Sequence, residues 1–574
     1  MIPESIRKSE AGYGPGTFVD TSFAPVPEEC RRLLRLLAEK TPWFTKNEAL
    51  IDGVCFEGSD LPIIPGPIKS QAITAVLHAM VGIVGLEILH IRGITTDTTT
   101  HVNTDHAGLY PATPGLVTVN GLTGPDILSL PTVPHWDKDR QSNSPLVYRA
   151  TAIYETANKG TWFQLHGSLD PWKLLELIGI PKDKDAEVRT NDEAYALIQE
   201  HVRTYRAREI EQLMVENGLS GSIVHSPKGW RETEMGQRLA RHPLVNYSQQ
   251  TYCPALPAAK LPSSVDKRPL AGIKVVELAR IIAGTAAGAL LASMGAEVIR
   301  VNSSKLKDYT PAQPSSLMAG KTTIDLDLNN PADHARLTHL FEEADIILQG
   351  YRLGSLERRG FGLHAALELA NKRGKGIIYI DENCYGPDGC YAERPGWQQV
   401  ADAAAGSSYV MGQSFGCPPG QGVLPSLPLS DMSTGALMAL TAMCAVRDRY
   451  VKGGSYKGHS ALAAYDMACL DEDVGLYSHD VVQRIQDKYQ FPSWSSDEHV
   501  APLYYSIIKA WERTGTFMKN EAFFATFDNS VFGSQLRVLG PLVRYKDVEC
   551  SPRWTSPPVP FCHHKFRSFQ STPN

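Results

Sequence analysis

Between residues 273 and 380 the chain alternates short β-branched runs with helical patterns, and this alternation limits the fold more than any other feature. Residues 273–278 form an apolar run after Gly272 and read as a buried strand. Ile281, Ile282, Ala283 and Gly284 make a turn. Residues 285–294 are rich in Ala and Gly and read as a helix stopped by Gly295. Further strands are expected over 297–301, 322–328, 345–348 and 376–380, with a helix over 331–343. Alternating strands and helices build a parallel, doubly wound sheet, so the expected class is α/β with a Rossmann-like large domain. Residues 431–450 carry Met432, Ala436, Ala439, Met443 and Val446 at helical spacing, which predicts a core helix.

A stretch over 255–268 holds Pro257, Pro262, Ser263, Ser264, Asp266 and Lys267, and reads as a linker. Upstream of it, 70–90 is a helix pattern and 151–165 an extended segment turning at Gly160. Residues 169–179 and 192–217 are amphipathic helix patterns, so a small α+β domain is expected there. The two parts echo each other. Ser70, Leu77, Ala79 and Met80 are spaced like Ser433, Leu440, Ala442 and Met443. Asp105, Ala107 and Leu109 follow at nearly the same interval as Asp466, Ala468 and Leu470. An internal duplication gives such a pattern, and chance likeness between Ala-rich helices is its rival. The expected division is a degenerate copy (1–146), a small-domain-like segment (147–254), the linker (255–268), a catalytic domain (269–480) and a C-terminal segment (481–574).

The formal net charge of −6 gives no basic excess, so no nucleic-acid partner is expected. Ten cysteines form no C-x-x-C pair, which fits reduced thiols in a cytoplasmic setting. Cys562, His563 and His564 read as part of an exposed tail rather than a metal cluster, and no metal is expected. Residues 1–13 lack an apolar core, so no secretory leader is expected. The apolar stretch 68–89 contains Lys69, His78 and Glu87 and reads as a buried helix, with no membrane partner.

Two motifs fail on their surroundings. A dinucleotide site needs a full glycine fingerprint and an acidic residue after the second strand. Here the glycines are incomplete and that strand ends Arg300, Val301, Asn302. Gly412, Ser414 and Gly416 match G-x-S-x-G, but a nucleophile elbow must open a helix. Pro418 and Pro419 follow instead, so a Gly/Pro loop is expected.

The run from Pro269 to Leu278, the turn Ile282, Ala283, Gly284, and the run from Gly295 to Ile299 are more specific. They are followed in order by Gly320 to Leu328, Ala344 to Leu348, Tyr385-Gly386-Pro387, Arg394 to Trp397, and Asp431 to Gly435. Over about 269–477 the chain resembles the family III (CaiB/BaiF-type) CoA-transferases. The resemblance implies that Asp466 is the carboxylate nucleophile, with Asp105 a vestigial or second working counterpart. A carboxylate attacking a thioester splits one difficult exchange into easier steps. The resemblance also places Ala283 and Gly284 near pantetheine, Tyr351 against adenine, and Arg352 and Arg358 on phosphates. Gln398 and Ile282 stand where formyl-CoA transferase-like members carry Glu and Gln, so formate or oxalate specificity is not implied. The family's glycine-rich shielding loop is not apparent after Asp466. The implied reactants are an acyl-CoA and a carboxylic acid. The CoA thioester is a substrate, and no tightly bound cofactor is implied. Family members are interlocked homodimers, so an intramolecular pseudo-dimer or a homodimer is expected. Two alternatives stay open. One is an α-methylacyl-CoA racemase-like enzyme, which lacks its histidine at residues 396–399; the other is a non-catalytic relative of the same fold.

Overall fold

The computed structural model describes residues 8–569 apart from 11, 42, 132–143, 252–255, 259 and 307–315. Cys253, the first residue of the expected linker and the first seven residues lie outside the described residues.

A seven-stranded sheet forms the centre. From one edge to the other its strands are Asn246–Gln250, Ser455–Ala461, Ile378–Asn383, Ile346–Gln349, Lys274–Leu278, Glu297–Asn302 and Lys321–Asp325. All neighbours are parallel except the edge strand Asn246–Gln250, which runs antiparallel to Ser455–Ala461. The expected doubly wound sheet is therefore present. The strand order reverses between Lys274–Leu278 and Ile346–Gln349. Such a reversal opens a crevice at the carboxyl ends of the strands, where α/β folds bind ligands.

Small residues let the layers close. The helix Ile282–Ser293 crosses the long helix Leu429–Lys452, and a Cβ on Gly435 would lie 2.6 Å from the Ala283 carbonyl oxygen. Beneath the first helix Glu277 pairs with Arg300 (2.8 Å) and Lys321 (2.7 Å), all three fully buried. A Cβ on Gly288 would lie 1.8 Å from the Glu277 carboxylate. Ala283 and Gly284 belong to the first turn of this helix, not to the turn before it as the sequence suggested.

The helix Ser70–Ile91 packs against Leu429–Lys452, and Thr74 Oγ1 meets Ser433 Oγ at 3.0 Å. Both helices are long and apolar enough to cross a membrane, and both are buried within the protein. Beside Ser70–Ile91, Val54–Glu57 and Thr100–Asn103 pair in parallel, and Val543–Tyr545 adds to them antiparallel. The C-terminal segment is thus woven into the N-terminal one. Gly533–Leu539 likewise pairs with Thr118–Val119.

Ala152–Glu155, Trp162–His166 and Ser220–Ile223 form an antiparallel sheet with its own core. The single helix expected over 192–217 is two, Asn191–Val202 and Ala207–Glu216. The loop before Trp162 causes the break: Ala157 N donates to the Tyr205 carbonyl, and Asn158 Oδ1 accepts from Ala207 N (2.9 Å). The Gly/Pro loop expected at 412–416 is also corrected, because the helix Ser407–Ser414 takes its first half. Nor is the Cys562 region a free tail. His564 bridges to Ile324 and covers the edge strand Lys321–Asp325, a common protection for a sheet edge.

Candidate functional site

Strand Ser455–Ala461 runs directly into the helix Leu462–Cys469, which carries Asp466. The side chain is 3 % exposed. Its Oδ1 accepts from Ser407 Oγ at 2.8 Å. Among the described residues nothing donates to its Oδ2. The helix Gln398–Ala405 packs against this helix and brings Asp402 within hydrogen-bonding reach of Asp466 once one of the two is protonated. Asp402 is fully buried. It accepts from Gln398 Nε2 (2.7 Å) and Ser430 Oγ (3.0 Å). Asp431 and Glu382 lie near them.

Among the described residues no Lys, Arg or His ion-pairs with these four acids. Burial therefore dominates their titration, because low-dielectric surroundings disfavour the charged form. Burial pushes Asp466 up to about 7, with Asp431 adding to the rise and Ser407 and Asp402 opposing it. Asp431 and Glu382 keep some surface exposure, yet burial still pushes them up to about 7 and about 8. Asp402 is raised by burial and by Asp466. Asp345 shows the opposite outcome in the same sheet. Burial opposes its ionisation, but Arg449 (2.9 Å) and Lys375 (2.7 Å) outweigh burial and bring it down to about 2. Asp345 joins the sheet to the long helix; Asp466 has no such cation among the described residues.

The other sequence-derived residues are distributed around this centre. Ala283 packs with Ala461, Leu462 and Ala463, at the start of the Asp466 helix. Gly284 sits against Ala279, where a Cβ would come within 2.6 Å of that alanine's Cβ. Gln398 is buried, and its amide also reaches the Leu427 carbonyl (3.2 Å), so it serves Asp402 rather than open space. Tyr351 lines a cleft of about 250 Å³, counted out to solvent, together with Arg280, Asn302, Ser303, Phe561 and Cys562. Arg280, Asn302 and Tyr351 each end or follow a strand at the carboxyl edge of the sheet, beside the strand-order reversal. Arg352 and Arg358 are exposed and do not line this cleft. Asp105 opens a separate helix, Thr104–Leu109, where Ser59 N and Ser59 Oγ bind both of its oxygens.

Sequence reasoning missed Asp402, Ser407 and Arg280. Arg280 had a usable signal, since it directly follows the first strand of a doubly wound unit. Asp402 is one acid in an Ala-rich run and offered none. Asp466 lines neither the cleft above nor a second one of about 400 Å³, bounded by His78, Tyr110, Leu317, Leu542 and Trp554.

The family model described as CoA-transferase family III matches residues 270–489. An "Acyl-CoA transferase" of Gibberella moniliformis is 71% identical over 565 residues, covering 98% of this chain and 99% of that protein. "Acetyl-coenzyme A transferase nodX" of Hypoxylon pulicicidum is 31% identical over 510 residues, covering 86% and 84%. The human "Succinyl-CoA:glutarate CoA-transferase" is 27% identical over 221 residues, covering 37% of this chain and 49% of its own. Among solved structures, a CaiB/BaiF family protein from Brucella suis gives a TM-score of 0.37 at 18% identity, covering 52% and 97%.

Proposed function

This chain belongs to CoA-transferase family III, and from that premise we propose that it moves CoA from an acyl-CoA to a carboxylic acid through covalent intermediates on Asp466. The observation that carries the reading is the state of this carboxyl. It is buried, and among the described residues no cation pairs with it and nothing donates to one of its oxygens. A carboxylate in such surroundings is poorly stabilised in its ground state and gains by becoming an ester-like, uncharged group.

In the first step an Asp466 oxygen attacks the thioester carbonyl. A C–O bond forms, the C–S bond breaks, and the thiolate leaves with the electron pair. The thiolate then attacks the Asp466 carbonyl of the mixed anhydride, giving an aspartyl-CoA thioester and releasing the donor acid. The acceptor carboxylate attacks that thioester, and the returning thiolate takes the acceptor's acyl group, restoring Asp466. No electron is gained or lost, and CoA enters and leaves as substrate. The cleft at the strand-order reversal suits the nucleotide end of CoA, with Tyr351 offering a ring face and Arg280 a guanidinium for phosphate. Asp466 is buried, so entry of the thioester requires local opening above the helix Leu462–Cys469.

The N-terminal half supports a pseudo-dimer within one chain. Each half has a strand, a long helix, a parallel strand and a short helix with an aspartate: Val54–Glu57 to Asp105 in one, Ile378–Asn383 to Asp466 in the other. Their long helices pack together. Sedimentation equilibrium is expected to give the one-chain mass of 63.0 kDa; an obligate two-chain mass would overturn this part.

The main test is mass spectrometry of protein incubated with a panel of acyl-CoAs and quenched with hydroxylamine. Asp466 is expected to carry the hydroxamate in wild type, and no adduct is expected in D466N. An adduct on another residue, or turnover unchanged in D466N, would reject Asp466 as nucleophile.

A further inference from the structure

We propose that Asp402 is a second catalytic carboxyl, which shares one proton with Asp466 and donates that hydrogen bond to the reacting oxygens. The proposal rests on the reading of Asp466 as nucleophile. Its basis is how the two acids are held. Asp402 is fully buried on the helix Gln398–Ala405, packed against the Asp466 helix. Gln398 Nε2 and Ser430 Oγ fix its two oxygens at 2.7 Å and 3.0 Å. Asp466 Oδ1 is taken by Ser407, while the buried Oδ2 has no donor among the described residues. A proton held between the acids supplies the missing partner.

Among the described residues no cation stands against either acid. Asp431 faces the pair from the helix Leu429–Lys452, and Glu382, on the strand Ile378–Asn383, lies beside Asp431; both are acids. Cys384, Cys469 and Tyr465 also face it, and burial raises all three above their ordinary values. On neighbouring elements His166 stacks on Trp397, and Arg231 binds the carbonyls of Gly16 and Leu470. Two touching buried carboxyls without a cation do not both ionise, and the remaining proton belongs to the pair rather than to one member.

This proton is positioned but not consumed. When Asp466 attacks, a C–O bond forms and the thiolate leaves with the C–S electrons, while the proton stays on Asp402. When the thiolate returns to the Asp466 carbonyl, negative charge develops on the aspartyl oxygen, and the Asp402 O–H is directed at that oxygen. A positioned donor to a developing oxyanion in a dry site typically contributes about 10²–10³ in rate.

Two variants and one spectrum test this. In D402N the amide still offers an N–H toward Asp466 but has no proton to lose; in D402A the donor is gone. D402A is expected to lose about 10²-fold in kcat, and D402N to stay within about tenfold of wild type. The fall in kcat/KM at high pH, where the shared proton leaves, is expected in wild type and absent in D402N. Independently of turnover, a wild-type minus D402N infrared difference spectrum at about pH 8 should show one protonated-carboxyl C=O stretch. Wild-type kcat in D402A, an unchanged alkaline limb in D402N, or no protonated-carboxyl band would each overturn the proposal. If D402A does not fold, the D402N profile and the spectrum decide. The spectrum reports on Asp402 whatever the nucleophile, and D466N trapping reports on Asp466 whatever Asp402 does, so the two readings fail separately.

Discussion

Asp105 and Asp466 hold matching places in the two halves of the molecule, and their surroundings give them opposite prospects. Each lies on a short helix directly after a strand parallel to its neighbour, beside a long buried helix. Three donor contacts from Ser59 occupy both oxygens of Asp105. Burial raises its titration, but Ser59 and the positive field of Lys488 oppose the rise. Among the described residues Asp466 has one hydroxyl donor, Ser407, and otherwise faces acids, Asp402 and Asp431. The sheets differ in the same sense. The half around Asp466 has seven strands and an open crevice at the strand-order reversal, whereas beside Asp105 there are three. A satisfied carboxyl has little to gain from a new covalent bond, and an unsatisfied one has much. The contrast therefore assigns chemistry to one half and support to the other under the proposed mechanism.

The largest effect that can break this contrast comes from deleting each acid. D466N is expected to lose at least about 10³-fold in transferase turnover, because the proposed mechanism forms its covalent intermediates on this carboxylate. D105A is expected to keep wild-type turnover within about twofold. It leaves the half-buried Ser59 N–H and hydroxyl without their acceptor, which costs about 1–3 kcal/mol of stability in chemical unfolding. Comparable loss of turnover in both variants would mean that the N-terminal half is a second working site.

The elements that carry the Asp466 half were legible because their sequence signals are local. Pro331 at the start of its helix and the Asn330 cap fix Pro331–Glu343 at the expected bounds. The β-branched runs at 274–278 and 297–302 became adjacent strands because each is bounded by glycine and too short for a helix. What was not legible depends on partners far away in the chain. Asn246–Gln250 is polar and half-exposed, and becomes a strand only because Ser455–Ala461 offers an edge two hundred residues later. The break in 192–217 is imposed by the Ala157–Asn158 loop and not by any residue within the helix pattern. In the candidate site Asp466 stands out by its motif. Asp402 meets Asp466 only through the contact of two helices, and no local pattern records that contact.

A smaller substitution sharpens the comparison, since each aspartate has a serine partner. Ser407 donates to Asp466 and so favours its charged form. Removing that hydroxyl in S407A raises the pKa of Asp466 further above about 7. The nucleophile is the ionised form, so the acid limb of kcat/KM must move to higher pH, by about 0.5–1 unit for a hydrogen bond of ordinary net strength. S407A is then expected to be roughly three- to tenfold slower than wild type near pH 6 and equal to it near pH 9, where Asp466 is ionised in both. In S59A the backbone N–H still binds Asp105, and the pH profile of turnover is expected to stay unchanged. A pH-independent loss in S407A would make the serine a packing residue. A shifted profile in S59A would carry Asp105 into the reaction and erase the distinction between the halves.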